Sequence, residues 1–193
     1  LLEEKIFIVP SRAIGLQMIN KITREGYKTL NLKPITLQRL AFEICEEYIV
    51  SGDKLIIDDI LGSNLIMDIL KDLHKKDPEG FFFKKDLIDT RTAEEVYRVI
   101  VELKHNNLGA FPEEKDLNLI YEEYQRRLGQ LNAMDYQDII VKAREMEDLE
   151  SFRQKVIGLA YNIEFENVEK LLLEKIIKED TVRIIMPVKS LVD

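Results

Sequence analysis

The chain has 193 residues, 46% hydrophobic and 33% charged, a balance that sets aside disordered and fibrous classes and allows one domain carrying a sizeable insertion. Its 28 Lys and Arg against 36 Asp and Glu divide as +1 over residues 1–50, −6 over 51–135 and −3 over 136–193. A surface that neutralised phosphates throughout would be basic, so weak nucleic-acid binding confined to one face is expected, with the opening segment the least acidic.

Apolar runs such as Ile6–Val9 and Leu171–Leu173 fall far short of the roughly 20 residues that span a bilayer. Two glutamates precede the first apolar run, the wrong order for a signal peptide. One cysteine, two histidines and no tryptophan give neither an internal disulfide nor a cysteine-based metal site. A reducing cytoplasm, no membrane and no metal are the expectation. The chain starts on Leu1 and closes after a Pro-containing apolar run, and it reads as a piece of a longer protein.

Lys5–Pro10 is a short apolar, β-branched run closed by proline, the pattern of a strand buried on both faces. Ser11 stands where an N-cap would, and Ile14, Met18, Ile19 and Ile22 recur at helical spacing up to the stop at Gly26. Thr29–Pro34 is extended by pattern. Thr36 is a second N-cap candidate, followed by a helix face of Leu37, Leu40, Ala41, Ile44, Cys45, Tyr48 and Ile49; Cys45 in that row reads as a buried thiol, not a nucleophile.

Residues 53–146 read as helical throughout: Leu55–Leu61, Leu65–Leu73, Thr92–Leu103 and Asp116–Leu131, separated by breakers at Asp77-Pro78, Gly80, Gly109 and Pro112, with a last short helix after Asp135. Phe81-Phe82-Phe83 reads as core or interface. The opening pattern then returns as a strand at Lys155–Ala160, a helix carrying Val168, Leu171, Leu172 and Ile176, and a strand at Thr181–Pro187. Parallel strands need helical crossovers, so the expected fold is α/β: a parallel sheet from residues 1–52 and 147–193, interrupted by an all-helical insertion at 53–146.

Nucleotide chemistry is missing from the motifs. Neither G-x-x-x-x-G-K-[ST] nor G-x-G-x-x-G occurs, and the strand at 155–160 runs into Tyr161 and Asn162, not into acids. Glu164 and Glu166 read as first-turn acids favoured by the helix dipole. Asp58-Asp59 and Asp135/Asp138 read as caps and solvated acids, and His74 and His105 as exposed helix-end residues.

The order of segments carries a resemblance. Lys5-IFIVPSRAIGLQMINKI-Thr23 followed by Pro34-ITLQRLAFEI-Cys45 resembles the motif Ia and Ib region of UvrD/Rep-type superfamily 1 helicases, and more closely its counterpart in the B subunits of the AddAB helicase-nucleases (ATP-dependent deoxyribonucleases). Met134-DYQDII-Val141 is similar to the segment closing the helical 1B insertion. Val156-IGLAYNIEFENVEKLLLEKII-Lys178 with Val182–Pro187 is similar to a degenerate motif II and the strand after it.

The resemblance implies a P-loop helicase-like 1A subdomain (1–52 and 147–193) with a 1B insertion (53–146). It places any Walker A loop before Leu1, and a second motor domain and a PD-(D/E)XK nuclease after Asp193. Where an active motor has an Asp-Glu pair, this strand has Gly158, Ala160 and Tyr161, so the motor is expected to be inactive, with ATP and Mg²⁺ left to the parent protein.

The family's single-strand contacts carry over to Ser11 and Arg12 in the first turn and to Thr36, Gln38 and Arg39 in the second. Hydroxyls, helix-start N–H groups and Arg suit phosphate oxygens; plain N-caps and a solvated Arg12 fit the same residues. The implied role is a DNA-binding, non-hydrolysing scaffold in double-strand break repair, partnered by DNA and an AddA-like subunit. Two alternatives stay open: an active ATPase whose loop lies outside the chain, and a helical interaction module docking through Phe81–Phe83.

Overall fold

Ile6, Phe7, Ile8 and Val9 are all buried, as a strand flanked on both faces requires. They belong to the first of two compact units into which the chain divides, Leu1–Glu46 with Ile140–Asp193, the second being Glu47–Ile139. The computed structural model describes residues 5–27, 31–106, 114–147, 149, 156–159 and 165–177.

In the first unit β1 (Lys5–Ile8) is the middle strand of a three-stranded parallel sheet in the order β2-β1-β5, with β2 at Leu32–Ile35 and β5 at Val156–Leu159. The registers pair Ile8 with Ile35 on one side and with Leu159 on the other. Strands from the two ends of the chain thus share one sheet.

Helix α1 (Arg12–Arg24) returns the chain from β1 to β2. Its single buried residue is Gly15, where a Cβ would lie 2.6 Å from Pro34 Cβ and 2.9 Å from Val9 Cγ2. Any side chain there would push the helix off the sheet. The helix ends in a Schellman turn: Gly26 takes φ +88°, its N–H donates to Thr23 O at 3.0 Å, and the N–H of Tyr27 donates to Ile22 O at 3.3 Å.

Helix α2 (Leu37–Ser51) buries Leu37, Leu40, Ala41, Ile44 and Cys45. Burial pushes the Cys45 thiol up to about 11, consistent with a structural role. On the return limb α6 (Tyr136–Glu145) precedes β5, and α7 (Asn167–Ile176) buries Val168, Leu172, Leu173 and Ile176. Lys175 donates to the Met146 carbonyl at 2.8 Å and to that of Arg144, which ties α7 to the end of α6. Glu166 is the N-cap of α7, and its N–H donates to Glu169 Oε2 at 3.0 Å. The strand expected at Thr181–Pro187 lies outside the described residues.

The second unit corrects the expectation of an all-helical insertion. Leu55–Ile57 is a strand, β3, paired in parallel with β4 (Ala133–Asp135) so that Ile57 lies opposite Asp135. The expected helices at Leu55–Leu61 and Leu65–Leu73 are one helix, α3 (Asp59–Lys76), that starts only after Asp58. Tight turns make the pairing possible. Asp53 and Asn132 adopt φ of 47° and 51°, and the Asn132 amide donates to Gly52 O at 2.8 Å and Asp53 O at 3.0 Å.

Around this small sheet, α3, α4 (Thr90–His105) and α5 (Lys115–Gln130) enclose a core that includes Ile66, Leu70, Phe81, Ile100, Ile120 and Tyr124. Gly62 leaves room for the Tyr97 ring, since a Cβ would lie 2.4 Å from it. Among the described residues the architecture is therefore mixed α/β, mainly helical, with two small parallel sheets. Among the described residues no helix is long and apolar enough to cross a membrane.

Candidate nucleic-acid interface

Parallel pairing decides where the predicted residues fall. Because β1 and β2 run the same way and Val9 N–H donates to Ile35 O at 2.9 Å, the two strands end at one edge of the sheet, about 4.8 Å apart. The helix following each strand starts there. Ser11 is extended at φ −149° and ψ 155°, and its Oγ accepts from Ile14 N–H at 3.3 Å. Thr36 Oγ1 accepts from Arg39 N–H at 3.2 Å in the same manner.

A capping hydroxyl accepts one N–H and keeps its own O–H as a donor. Neither first turn contains an acid, so the positive ends of both helix dipoles are uncompensated by side-chain charge. Arg12 and Gln38 are exposed, and Arg12 makes no ion pair among the described residues. Arg39 is engaged: its Nε donates to Glu43 Oε1 at 3.2 Å, and its guanidinium lies 5.4 Å from the Phe42 ring centroid. Ser11, Arg12, Thr36, Gln38 and Arg39 thus all sit on two adjacent helix starts. The N-cap reading of Ser11 and Thr36 holds, and their hydroxyls retain a donor beyond it.

The second sheet has the same geometry with opposite chemistry. Its C-terminal edge also holds two helix starts, but carboxylates cap both: Asp58 Oδ1 accepts from Leu61 N–H at 2.9 Å, and Asp135 Oδ1 from Asp138 N–H at 3.0 Å. Asp59 and Asp138 add acids to the first turns. Between the latter pair lies Lys104, 2.6 Å from Asp135 Oδ2 and 2.7 Å from Asp138 Oδ1.

Asp135 is wholly buried and also accepts from the Tyr124 hydroxyl at 3.2 Å. Burial, reinforced by the neighbouring Asp135 carboxylate, raises Asp138 above the usual carboxylate range against the pull of Lys104. Burial, with Asp135 second, also raises the Tyr124 and Tyr97 phenols. Every positive end at this edge already has its anion, which leaves it a structural lock and no place for a phosphate.

This network corrects the reading of Asp135 and Asp138. Capping holds; solvation fails for Asp135, because Lys104 arrives from α4 to neutralise it in the interior. Lys104 itself was missed, although the buried positions Ala93, Tyr97 and Ile100 already pointed at 104 by helical spacing. The two histidines are half-buried, not exposed: His105 Nε2 lies 3.0 Å from Gln137 Nε2, and His74 Nδ1 is buried without a hydrogen-bond partner among the described residues.

Of the phenylalanine run, Phe81 is core, Phe83 is half-buried with the Phe82 ring edge-on to it at 5.2 Å, and Phe82 alone is exposed. Two grooves open on this unit, about 590 Å³ between α3 and α4 and about 420 Å³ beside Phe81. The smaller sets Lys76 and Lys115 against Asp77 and Asp116, so it favours no single sign of ligand. Among the described residues no three carboxylate, imidazole or thiol side chains converge on a metal position. Comparison with protein-family models and with curated proteins finds no match for this chain.

Proposed function

We propose that the first unit binds the phosphate backbone of single-stranded DNA at the C-terminal edge of its parallel sheet, as the strand-holding 1A part of a helicase-like module in a helicase-nuclease. The observation that carries this reading is the pair of adjacent helix starts, Ser11–Arg12 and Thr36–Arg39, both hydroxyl-capped and free of first-turn acids. Ligands of open parallel sheets bind outside the carboxyl ends of the strands, and helix N-termini favour anions there.

Gly158, Ala160 and Tyr161 stand where the resemblance puts an active motor's Asp-Glu pair, which supports holding over hydrolysis; ATP turnover and Mg²⁺ would then belong to an AddA-like partner that moves along the same strand. The active-motor alternative differs in one respect, DNA-stimulated ATP hydrolysis by the longer protein. The interaction-module alternative rests on Phe82, the one exposed ring of its cluster.

With two or three phosphates contacted, log affinity should fall with log salt at a slope of about −1.4 to −2.1, a weak interaction in keeping with the acidic chain. Fluorescence anisotropy with an oligothymidylate across a KCl series measures this. Arg12→Ala should weaken binding and flatten the slope by about 0.7, the share of one phosphate. Unchanged affinity and slope would remove Arg12 from the interface and the reading with it.

A further inference from the structure

Glu43 lies one helical turn beyond Arg39 and serves two cations at once. Its Oε1 and Oε2 accept from Lys33 Nζ at 3.0 and 3.2 Å, and Oε1 also accepts from Arg39 Nε at 3.2 Å. The carboxylate is the sheltered member, with 17% of its side chain exposed against 43% for Lys33 and 57% for Arg39. We infer that Glu43 is an internal counter-anion, holding Arg39 back along α2 until a phosphate at the helix start displaces it. This rests on the phosphate-binding reading and names the device that sets its strength.

Three features carry it. Arg39 occupies the first turn of α2, so a phosphate at that helix start and Glu43 on the next turn compete for one guanidinium. Exposed pairs of this kind are weak and exchange readily. The exchange also strands no charge, because Lys33 stays on both oxygens of Glu43 when Arg39 leaves, whereas a carboxylate with one cation would be left unpaired on a largely covered site. The Phe42 ring, beneath the guanidinium, gives Arg39 an apolar face to turn on as it shifts.

The test is a double-mutant cycle on the 193-residue chain, read by anisotropy with an oligothymidylate of about 20 nucleotides. Glu43→Gln should bind about threefold to tenfold more tightly than the parent, and the gain should vanish when Arg39→Ala is also present. Lys33→Ala should weaken binding without changing the salt slope, since it strengthens Glu43's hold on Arg39 and touches no phosphate itself.

Glu43→Gln binding no better than the parent would overturn the inference. The same gain in the presence and absence of Arg39 would also overturn it, by showing a general loss of repulsion in place of competition for one side chain. If binding depends on Arg12 and the cycle fails, only the counter-anion role falls; if the parent shows no salt-sensitive binding, the phosphate reading falls first.

Discussion

Replacing both hydroxyl caps by carboxylates, Ser11→Asp with Thr36→Asp, separates phosphate binding from folding. Asp caps a helix as well as Ser and better than Thr, and its charge suits the dipole, so the folded state should keep its stability or gain a few tenths of a kcal/mol. Asp58 and Asp135 already perform that job in the second unit.

Binding should respond in the opposite direction. A phosphate hydrogen-bonded to the cap would sit about 4 Å from the new charge, where repulsion is about 1 kcal/mol in a water-like surrounding and about 4 kcal/mol at an effective dielectric constant of 20. These helix starts are largely solvent-facing, so about 1 to 2 kcal/mol per substitution is the reasonable range, a factor of about 5 to 30 in Kd. At physiological salt the Debye length is about 8 Å and screens little of it. Thermal unfolding by circular dichroism and anisotropy on one preparation give both numbers. Asp variants that melt like the parent and bind DNA with parental affinity and salt slope would refute the assignment of this edge to phosphate.

Two further substitutions probe the second unit. Lys104→Met leaves the wholly buried Asp135 without its cation and should cost about 3 to 5 kcal/mol in chemical denaturation, part of which Lys104→Met with Asp135→Asn should recover, because the Asn oxygen still caps α6 while its amide N–H donates to the Tyr124 hydroxyl oxygen. On the acid side, hydrogen bonds from Arg126 and then Arg127 lower Glu123 from 4.5 to about 2, so its contribution is fully present above pH 4.5 and is lost as pH falls towards about 2. Glu123→Gln should flatten the stability profile across that window in acid titrations followed by circular dichroism, and a profile equally steep in parent and variant would deny the linkage.

What was legible in the sequence was local or strongly periodic. Ser11 and Thr36 could be read as caps because capping is decided within three residues, and β1 could be read as central because its apolar run has no polar face. Leu55–Ile57 could not. Three apolar residues fit a helix and a strand equally, and the choice was made 78 residues later, where Ala133–Asp135 supplies the partner strand and Asn132 ties the two turns together. Lys104 was hidden for a different reason: a lysine on an apolar helical face ordinarily carries its amine out to solvent, and only the fold shows Asp135 and Asp138 waiting for it inside.

The two sheet edges place the chain's acids very differently. A net charge of −8 argues against broad phosphate binding, yet a sum over the sequence ignores where each acid spends its field. Four of the aspartates, at 58, 59, 135 and 138, sit at the helix starts of the second unit, and two of them also share one buried lysine. Glu123 is similarly absorbed by two arginines. These acids act over a few ångströms on groups that need them, and their distant field is correspondingly reduced. At the first unit's edge Glu43 faces two cations, so the local sum over Arg12, Lys33, Arg39 and Glu43 is positive. Local charge and cap chemistry therefore agree where the total charge misleads: of two edges built alike, only the hydroxyl-capped one has both the open donors and the surplus cation that an extended phosphate chain requires.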